Sequence, residues 1–295
     1  MTGRDGAALH WHEDPEQFRA AVSFTAATTG FSGRLVEKDY FCTIVLAYLA
    51  GIAGLVFKGG TCLAKVYAEF YRLSEDLDFV VSTPTSATRG QRSARAAGVK
   101  HAVAKLPARV PALRVLEPLR GANDSTQYLA TLAYTSVLTG GDEPIKVEVG
   151  LREPLLDEPT LRGATTVLLD PATNAPLLAP VQLACISLRE ALAEKLRAAL
   201  SRREVAIRDF FDLDYAERAL GLDLRAPDMV DLVSSKLRVP GNLPVDVSSK
   251  RLTELQSQVR ARLQPVLRRK DMAAFDLDRA LRIVKDVATA LGLIS

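Results

Sequence analysis

The sequence predicts an α/β (α+β) protein in which a mixed sheet flanked by helices is followed by a helical C-terminal lobe. Short apolar or alternating segments recur between Leu55 and Glu153, as β-strands require. Beyond Pro180 the apolar residues instead follow helical spacing. The 295 residues suffice for two lobes that each bury a core. We therefore predict a core with N-terminal helices over residues 1–175 and a helical lobe over residues 176–295.

Two N-terminal helices are predicted over residues 15–50, because apolar residues recur there at helical spacing and the segment FSGR around Gly33 interrupts them. The second helix is expected to begin near Val36. A short apolar strand, Leu55–Phe57, follows and ends in two glycines, and the segment TCLAKVYAEFY after them is helical in pattern. The predicted order is therefore strand, tight turn, helix.

Further strands are predicted in four segments, SEDLDFVVS, ALRVLEPL, TQYLATLAYTSVL and PIKVEVGLRE, with GGDEP forming a hairpin turn between the last two. The basic, Ala-rich segment from Thr88 to Leu106 is predicted to be one helix. The boundary between the lobes is expected in the Pro-containing loop from Asp170 to Pro180, and VQLACISLREALAEKLRAALSR after it is predicted to be helical.

The composition is that of a globular protein, with 48% apolar and 25% charged residues, and no uncharged apolar tract is long enough to cross a bilayer. The N-terminal segment carries acidic residues where a signal peptide would need an apolar core, so we expect a cytoplasmic protein. Widely spaced cysteines without a CxxC pattern argue against a disulfide framework or structural zinc and predict small core residues, namely Cys42, Cys62 and Cys185.

The net charge is only +3, but basic residues are clustered in two places. Such clusters contact phosphates in many proteins, and they are equally well explained as solvated helix faces. The first comprises Arg89, Arg92, Arg95, Lys100 and Lys105, and the second Arg197, Arg202, Arg203 and Arg208.

The paired glycines Gly59 and Gly60 predict a phosphate-binding turn. A strand that ends in glycines and leads into a helix brings backbone N–H groups and the positive end of the helix dipole to one place. Alone this motif is weak, because double glycines at strand ends are more often ordinary turn residues. The acidic residues that follow make the functional interpretation stronger.

Asp76 and Asp78 are two apart on a predicted strand, so both side chains project from one face while Leu77 points to the other. Two carboxylates in one small space repel each other unless a hard divalent cation lies between them and the substrate. The pair therefore predicts a metal site. Magnesium is the expected ion, with manganese as an alternative.

Glu148 is the candidate for a third carboxylate of a two-metal site. In the strand IKVEVGL it shares a face with Lys146, while Val147 and Val149 share the opposite, buried face. In a two-metal mechanism one ion activates the attacking hydroxyl and the other stabilises the leaving pyrophosphate. The alternative is a surface glutamate paired with Lys146.

Four segments in this order and spacing resemble the AbiEii toxin family of nucleotidyltransferases, which belong to bacterial type IV toxin–antitoxin systems. They are VEKDYFCTIVLAYL, VFKGGTCLAKVY, RLSEDLDF and EKLRAALSRREVAIRDFFDL, within residues 36–214 or so. The resemblance implies a DNA-polymerase-β-like nucleotidyltransferase fold, a nucleoside triphosphate (NTP) held by the KGGT turn, metal ions held by the aspartates, and an antitoxin encoded nearby.

The resemblance also carries roles onto individual residues. It implies Asp76, Asp78, Glu148 and Lys195 as catalytic residues, the three carboxylates as metal ligands, and nucleotide binding by Lys58, Gly59, Gly60, Thr61, Lys65, Ser74, Arg208 and Asp212. Arg208 and Asp212 are i and i+4 on a predicted helix and are expected to pair, and Lys195 is the preferred cationic group at the triphosphate. For Arg208 and Asp209 an interhelix ion pair is the alternative. The matching residues Glu37, Lys38 and Asp39 are expected to anchor a helix beside the site.

The leading functional hypothesis is transfer of a nucleoside monophosphate from an NTP to RNA, with the 3′ acceptor end of tRNA as the favoured target. This acceptor follows from toxins of the same family that add pyrimidine nucleotides to acceptor stems, and the modification would block translation. Two alternatives remain open. In the first, the acceptor is a protein hydroxyl instead of RNA. In the second, the protein is a non-enzymatic nucleotide-binding toxin module.

Overall fold

The structure, a computed structural model, describes residues 7–294, with side chains from residue 10 onward. The chain divides into two compact units, Met1–Ile186 and Ser187–Ser295. We call them the sheet unit and the helical unit. None of the described helices is long and apolar enough to cross a membrane. The three cysteines are buried and free, as the sequence predicts.

Two helices open the sheet unit after a 3₁₀ turn at Ala7–Glu13, namely α1 (Pro15–Thr29) and α2 (Gly33–Leu49). The Asp14 side chain caps α1 by accepting hydrogen bonds from two backbone N–H groups. Gly30 ends this helix with a left-handed φ of 80°. The prediction of two helices is confirmed, although α2 begins three residues earlier than expected.

The sheet has seven strands in the order β3-β4-β5-β2-β1-β7-β6. Pairing is parallel between β2 and β5 and between β1 and β7, and antiparallel elsewhere, so the predicted mixed sheet is confirmed. The strands are β1 (Leu55–Lys58), β2 (Asp76–Val81), β3 (Leu113–Ala122), β4 (Gln127–Thr135), β5 (Asp142–Gly150), β6 (Thr160–Ala164) and β7 (Val181–Cys185).

One face of this sheet is the core of the unit. Leu77 and Phe79 of β2 and Val147 of β5 are almost inaccessible on it, and α2 and α5 (Ala97–Arg109) cover neighbouring strands. Side chains alternate along each strand, so Asp76, Asp78, Lys146 and Glu148 emerge together on the opposite, more open face.

Three helical predictions in the sheet unit need correction. The helix that begins at the glycines, α3 (Gly59–Cys62), continues as a π-helix at Leu63–Tyr67 and then stops. Glu69 and Phe70, which follow Ala68, have positive φ angles that a right-handed helix cannot include. The basic helix is two helices, α4 (Arg89–Arg95) and α5, which meet at the α4 cap residue Ala96. A third correction concerns the end of the unit.

The predicted boundary at residue 175 assigned the segment VQLAC to the helical lobe, and the structure instead makes it β7. This strand lies between β1 and β6, and the Ile186 N–H donates to the Phe57 carbonyl at 3.0 Å. The division therefore falls at Ile186. Strand β6, which was not expected from the sequence, lies at the edge of the sheet and pairs with β7.

The helical unit contains the remaining helices. Ser187 caps the first of them, and Asp276 caps the last. The helices are α6 (Leu188–Ser201), α7 (Ile207–Leu220), α8 (Pro227–Leu237), α9 (Ser249–Gln258), α10 (Arg269–Ala274) and α11 (Leu277–Ala290), with a π-helix at Val259–Leu263 and a 3₁₀ turn at Gln264–Val266 between α9 and α10.

Candidate active site

The glycine turn and the carboxylate strand touch each other. Gly59 has a φ of +76°, and a Cβ atom there would lie 2.1 Å from the Asp78 Oδ2 atom. A Cβ on Gly60 would lie 2.4 Å from the Arg72 Nη2 atom. Any larger residue would therefore displace the carboxylate or the guanidinium, so close approach requires glycine at both positions, and the backbone conformation requires it at Gly59 as well.

Thr61 fastens this turn to β2. Its hydroxyl donates to the backbone carbonyl of Asp76, and the residue is buried. The threonine thus holds the start of the carboxylate strand beside the turn. Lys58, the last residue of β1, lies opposite Asp78 in the antiparallel register of β1 and β2.

The three predicted metal-binding carboxylates lie on neighbouring strands. Asp78 is the register partner of Glu148 across the parallel pair β2 and β5, and Asp76 is the partner of Lys146. Lys58, Asp78 and Glu148 therefore form one row across three strands, on the same face of the sheet. Asp76 lies two residues from Asp78 on that face.

This face fits a divalent cation through its donor set. Asp76 and Glu148 are partly exposed, and within residues 10–294 neither carboxylate forms an ion pair. Hard cations prefer such oxygen ligands. No three His, Cys, Asp or Glu side chains in the described part of the chain are grouped closely enough to hold an ion together. An ion at this face would therefore depend on the two aspartates, with Glu148 approaching from the next strand and substrate oxygens completing the coordination.

Lys65 does not have the surroundings of a phosphate-binding residue. Its ammonium is buried and lies 2.6 Å from Asp39 Oδ1, 2.8 Å from Thr43 Oγ1 and 3.1 Å from the Thr165 carbonyl. An ammonium has three N–H donors, and these neighbours use them. These contacts tie the helical segment after the turn to α2 and favour a structural role for Lys65, while its predicted nucleotide contact stays a prediction.

The segment Glu37–Asp39 anchors α2 to its surroundings, in keeping with the predicted role. Glu37 accepts hydrogen bonds of 2.6 Å from the Ser136 hydroxyl and from the Val137 N–H. Burial raises the pKa of Glu37 above its ordinary value, although these hydrogen bonds oppose the shift. Besides the Lys65 ammonium, Asp39 accepts the Val167 N–H at 2.9 Å.

Two residues beside the aspartates were missed by the sequence analysis. Arg72 is buried against Gly60, and Glu75 is held by Lys38 at 3.0 Å and by Arg34 at 2.7 Å. Burial alone would raise the pKa of Glu75, but the two cations outweigh it and lower the pKa below its ordinary value. Both residues lie in the segment RLSEDLDF, which also contains the predicted site residue Ser74. Their position in this segment is the sequence signal that points to them.

Ser74 itself lies in the loop before β2 and is partly buried. Its hydroxyl makes no hydrogen bond within the described residues. It is therefore available to a ligand, and its nucleotide-binding role stays a prediction.

Lys195 of the helical unit lies in a carboxylate cluster of its own. Its ammonium lies 2.7 Å from Asp209 Oδ1 and 2.9 Å from Asp212 Oδ2, and the Asp212 side chain is inaccessible to solvent. Asp212 therefore orients Lys195 within this unit. Arg208 donates through Nε to the Arg262 carbonyl at 3.2 Å. The catalytic role of Lys195 and the nucleotide-binding roles of Arg208 and Asp212 stay predictions.

A cleft of about 640 Å³ lies elsewhere in the sheet unit, on α1, α2 and the turn between β4 and β5. Phe18, Phe41 and Arg19 are among its lining residues. None of the predicted site residues lines it. The candidate site is instead the open sheet face, where the geometry brings the glycine turn and the carboxylates together.

A glycine turn packed against paired aspartates on a mixed sheet is the arrangement of a nucleotidyltransferase, and comparison with known proteins agrees. The chain belongs to the family described as the nucleotidyl transferase AbiEii toxin of type IV toxin–antitoxin systems, whose sequence model matches residues 50–291. The protein is thus a nucleotidyltransferase, and its family implies an NTP substrate and an antitoxin partner.

Solved structures support the fold. One is described as "putative nucleotidyltransferase from H. pylori", with 16% identity, a TM-score of 0.51, and coverage of 89% of this chain and 96% of that chain. Another is JHP933 from Helicobacter pylori, with 16% identity, a TM-score of 0.50, and coverage of 89% and 94%. Comparison with curated proteins gave no match.

Proposed function

We propose that the protein is a magnesium-dependent nucleotidyltransferase toxin that transfers a nucleoside monophosphate from an NTP to the 3′ end of tRNA and so blocks translation. The observation that carries this proposal is the close approach of Gly59 to Asp78, which puts a turn of the kind that binds phosphates against a predicted metal ligand. Manganese is an alternative ion.

The reaction places specific demands on this chain. The acceptor hydroxyl attacks the α-phosphorus, a new P–O bond forms, the bond to the β-phosphate breaks, and the hydroxyl proton passes to solvent as pyrophosphate leaves. Asp76, Asp78 and Glu148 would hold the divalent ion, which supplies Lewis-acid stabilisation of the phosphoryl charge when bound. The backbone N–H groups of the glycine turn would bind the phosphate oxygens, and the absence of side chains at Gly59 and Gly60 lets Asp78 and Arg72 lie against the turn.

The tRNA acceptor draws on the family resemblance and on exposed cations of the sheet unit. Arg89, Arg95 and Lys105 on α4 and α5 are exposed and available to phosphates. Arg92 of the same cluster is instead buried and donates to the Thr85 carbonyl at 3.2 Å. The exposed members of the basic cluster are thus consistent with contact to RNA, whereas the buried Arg92 stabilises the fold.

A transfer assay separates the candidate acceptors. The protein is incubated with each of the four α-labelled NTPs, total tRNA and total cell protein, with Mg²⁺ or with chelator. We expect label in tRNA, dependent on the metal and on one preferred NTP. Label in protein alone would replace the RNA acceptor by a protein hydroxyl, and label that persists in chelator would overturn the metal dependence.

Two variants identify the site in the same assay. Asp78→Ala removes a predicted metal ligand and should abolish both transfer and toxicity. Asp142→Asn is the matched control, because Asp142 lies on β5 in the same alternation as Glu148 but pairs with Arg114. Toxicity that survives Asp78→Ala would favour the non-enzymatic nucleotide-binding module.

A further inference from the structure

Helix α2 holds three consecutive charged side chains inside the sheet unit, Glu37, Lys38 and Asp39, all of them buried. Burying a charge is costly unless it is paired, so each must have a partner. The partners belong to three different segments. Glu37 binds the turn after β4, Asp39 binds Lys65, and Lys38 binds Glu75.

The Lys38 contact is the one that reaches the candidate metal site. Its ammonium is only 6% exposed and lies 3.0 Å from Glu75 Oε2, and the same oxygen accepts from Arg34 Nη2 at 2.7 Å. Arg34 also reaches Glu143 at 2.8 Å, which ties the contact to β5. Two cations and a neighbouring strand therefore fix the residue that directly precedes Asp76.

The direction of Asp76 depends on how its neighbour Glu75 is held. Side chains of successive residues in an extended segment point to opposite sides, and Lys38 holds that of Glu75 towards α2. The Asp76 carbonyl is meanwhile held by the Thr61 hydroxyl. Asp76 is thus fixed through both its neighbour and its own backbone.

We propose that Lys38 is a positioning residue of the metal site, which acts by anchoring the Glu75 carboxylate on the α2 side and thereby setting the direction of the adjacent Asp76. The inference rests on the proposed metal-dependent function. A purely structural role would not distinguish Lys38 from an equally buried neighbour. A positioning role predicts that loss of the Lys38 charge weakens metal binding more than loss of the neighbour's charge does.

Glu37 provides the matched control. It lies next to Lys38 on α2, is equally buried, and is engaged by the turn after β4 instead of the segment before β2. Lys38→Met and Glu37→Gln each remove one buried charge from the same helix. Both should lower the melting temperature, but only the first should alter the metal site.

The test measures Mn²⁺ binding to the free protein by electron paramagnetic resonance, together with thermal unfolding. We expect Lys38→Met to weaken Mn²⁺ binding by about tenfold or more, the usual effect of losing a group that orients a metal ligand. Glu37→Gln should leave the affinity within about twofold, while the charge swap Lys38→Glu with Glu75→Lys should recover part of it. Unchanged Mn²⁺ affinity in Lys38→Met would overturn the inference.

If Lys38→Met does not fold, Glu75→Gln replaces it in the experiment. Glu75 is partly exposed and glutamine has nearly the same shape, so this variant is expected to fold. It should weaken binding in the same direction, and an unchanged affinity would contradict the positioning role. Asp76→Asn with Asp78→Asn separates the two proposals. If that double variant binds Mn²⁺ like the wild type, the metal assignment itself fails.

Discussion

Paired carboxylates of the helical unit differ from the carboxylates on the open face of the sheet unit. In the helical unit Asp212 is paired with Lys195 and Glu190 with Lys236, and in each pair the carboxylate is inaccessible to solvent. In the sheet unit Asp76 and Glu148 are partly exposed on an open face and form no ion pair within the described residues. A buried charge needs a partner within the protein, whereas a partly exposed carboxylate is solvated by water and remains accessible to a cation. The difference distinguishes carboxylates that stabilise the fold from those available for chemistry.

The same distinction separates two lysines that the family resemblance assigns to the nucleotide. Lys65 lies inside a cage of protein oxygens, and Lys195 is 15% exposed between two aspartates. Lys65 therefore belongs with the stabilising charges. Lys195 retains an accessible fraction of its side chain.

The largest expected effect is on catalysis. Asp76→Asn should reduce nucleotidyl transfer by about 10³-fold or more, since a metal ion supplies several kcal/mol of charge stabilisation. It should change the free energy of unfolding by no more than about 0.5 kcal/mol, because the backbone carbonyl bonded by Thr61 is retained. Rate assays and urea unfolding on one preparation check both. A large loss of stability would place Asp76 among the structural charges.

The next effect is on stability. Lys65→Met leaves Asp39 buried without its ammonium partner and should lower the free energy of unfolding by about 3–5 kcal/mol. Lys105→Met, on the exposed side of α5, should change it by less than about 0.5 kcal/mol. Equal midpoints in urea for Lys65→Met and the wild type would refute the structural assignment of Lys65.

A smaller effect is expected at the glycine turn. Gly59→Ala combines a positive φ with a clash against Asp78, and should cost about 1–3 kcal/mol and most of the activity. Gly54→Ala is the control, because Gly54 has a φ of +73° and no atom within 4 Å of its would-be Cβ. It should share the backbone strain but keep full transfer activity. Similar activities in the two variants would show that the approach of Asp78 is unimportant.

The smallest effect tests a charge of the helical unit. Hydrogen bonds from Ser248 and Arg251 lower the pKa of Asp246 from 3.8 to about 2. Because the folded state favours the charged form, this group stabilises the fold above pH 3.8, and the contribution is lost as the pH falls towards 2. Asp246→Asn should lower the melting temperature slightly at pH 7 and by less at pH 3. A difference that does not change with pH would contradict the assignment.

Much of the sheet unit could be predicted because its central strands alternate clearly. In β2 and β5 one face is apolar and the other charged, so both the strands and the shared face of Asp78 and Glu148 follow from the sequence. Strand β6 has no such pattern, since Leu161 is 71% exposed at the edge of the sheet. Strand β7 is followed by α6 after only two residues, so its short apolar pattern reads as the beginning of the helical pattern of α6.

The sequence predicts candidate residues for the site, but not the contacts that hold them in place. Spacing cannot show whether Lys65 faces a ligand or Asp39, because these residues are 26 positions apart and meet only through packing. The burial of Glu37, Lys38 and Asp39 was equally hidden. Three consecutive residues of a helix point in different directions, so all three are buried only when other segments surround α2.

The row of Lys58, Asp78 and Glu148 also bears on the order in which the protein becomes active. Its members come from strands separated by long stretches of chain, and such pairing is slow because loop closure precedes any favourable contact. During translation the row cannot form before Glu148 is synthesised, which happens roughly 5 to 18 s after Lys58 at ordinary elongation rates. The other edge of β1 stays unpaired until β7 has been synthesised. The candidate site is therefore incomplete until β5 has been synthesised and has paired with β2.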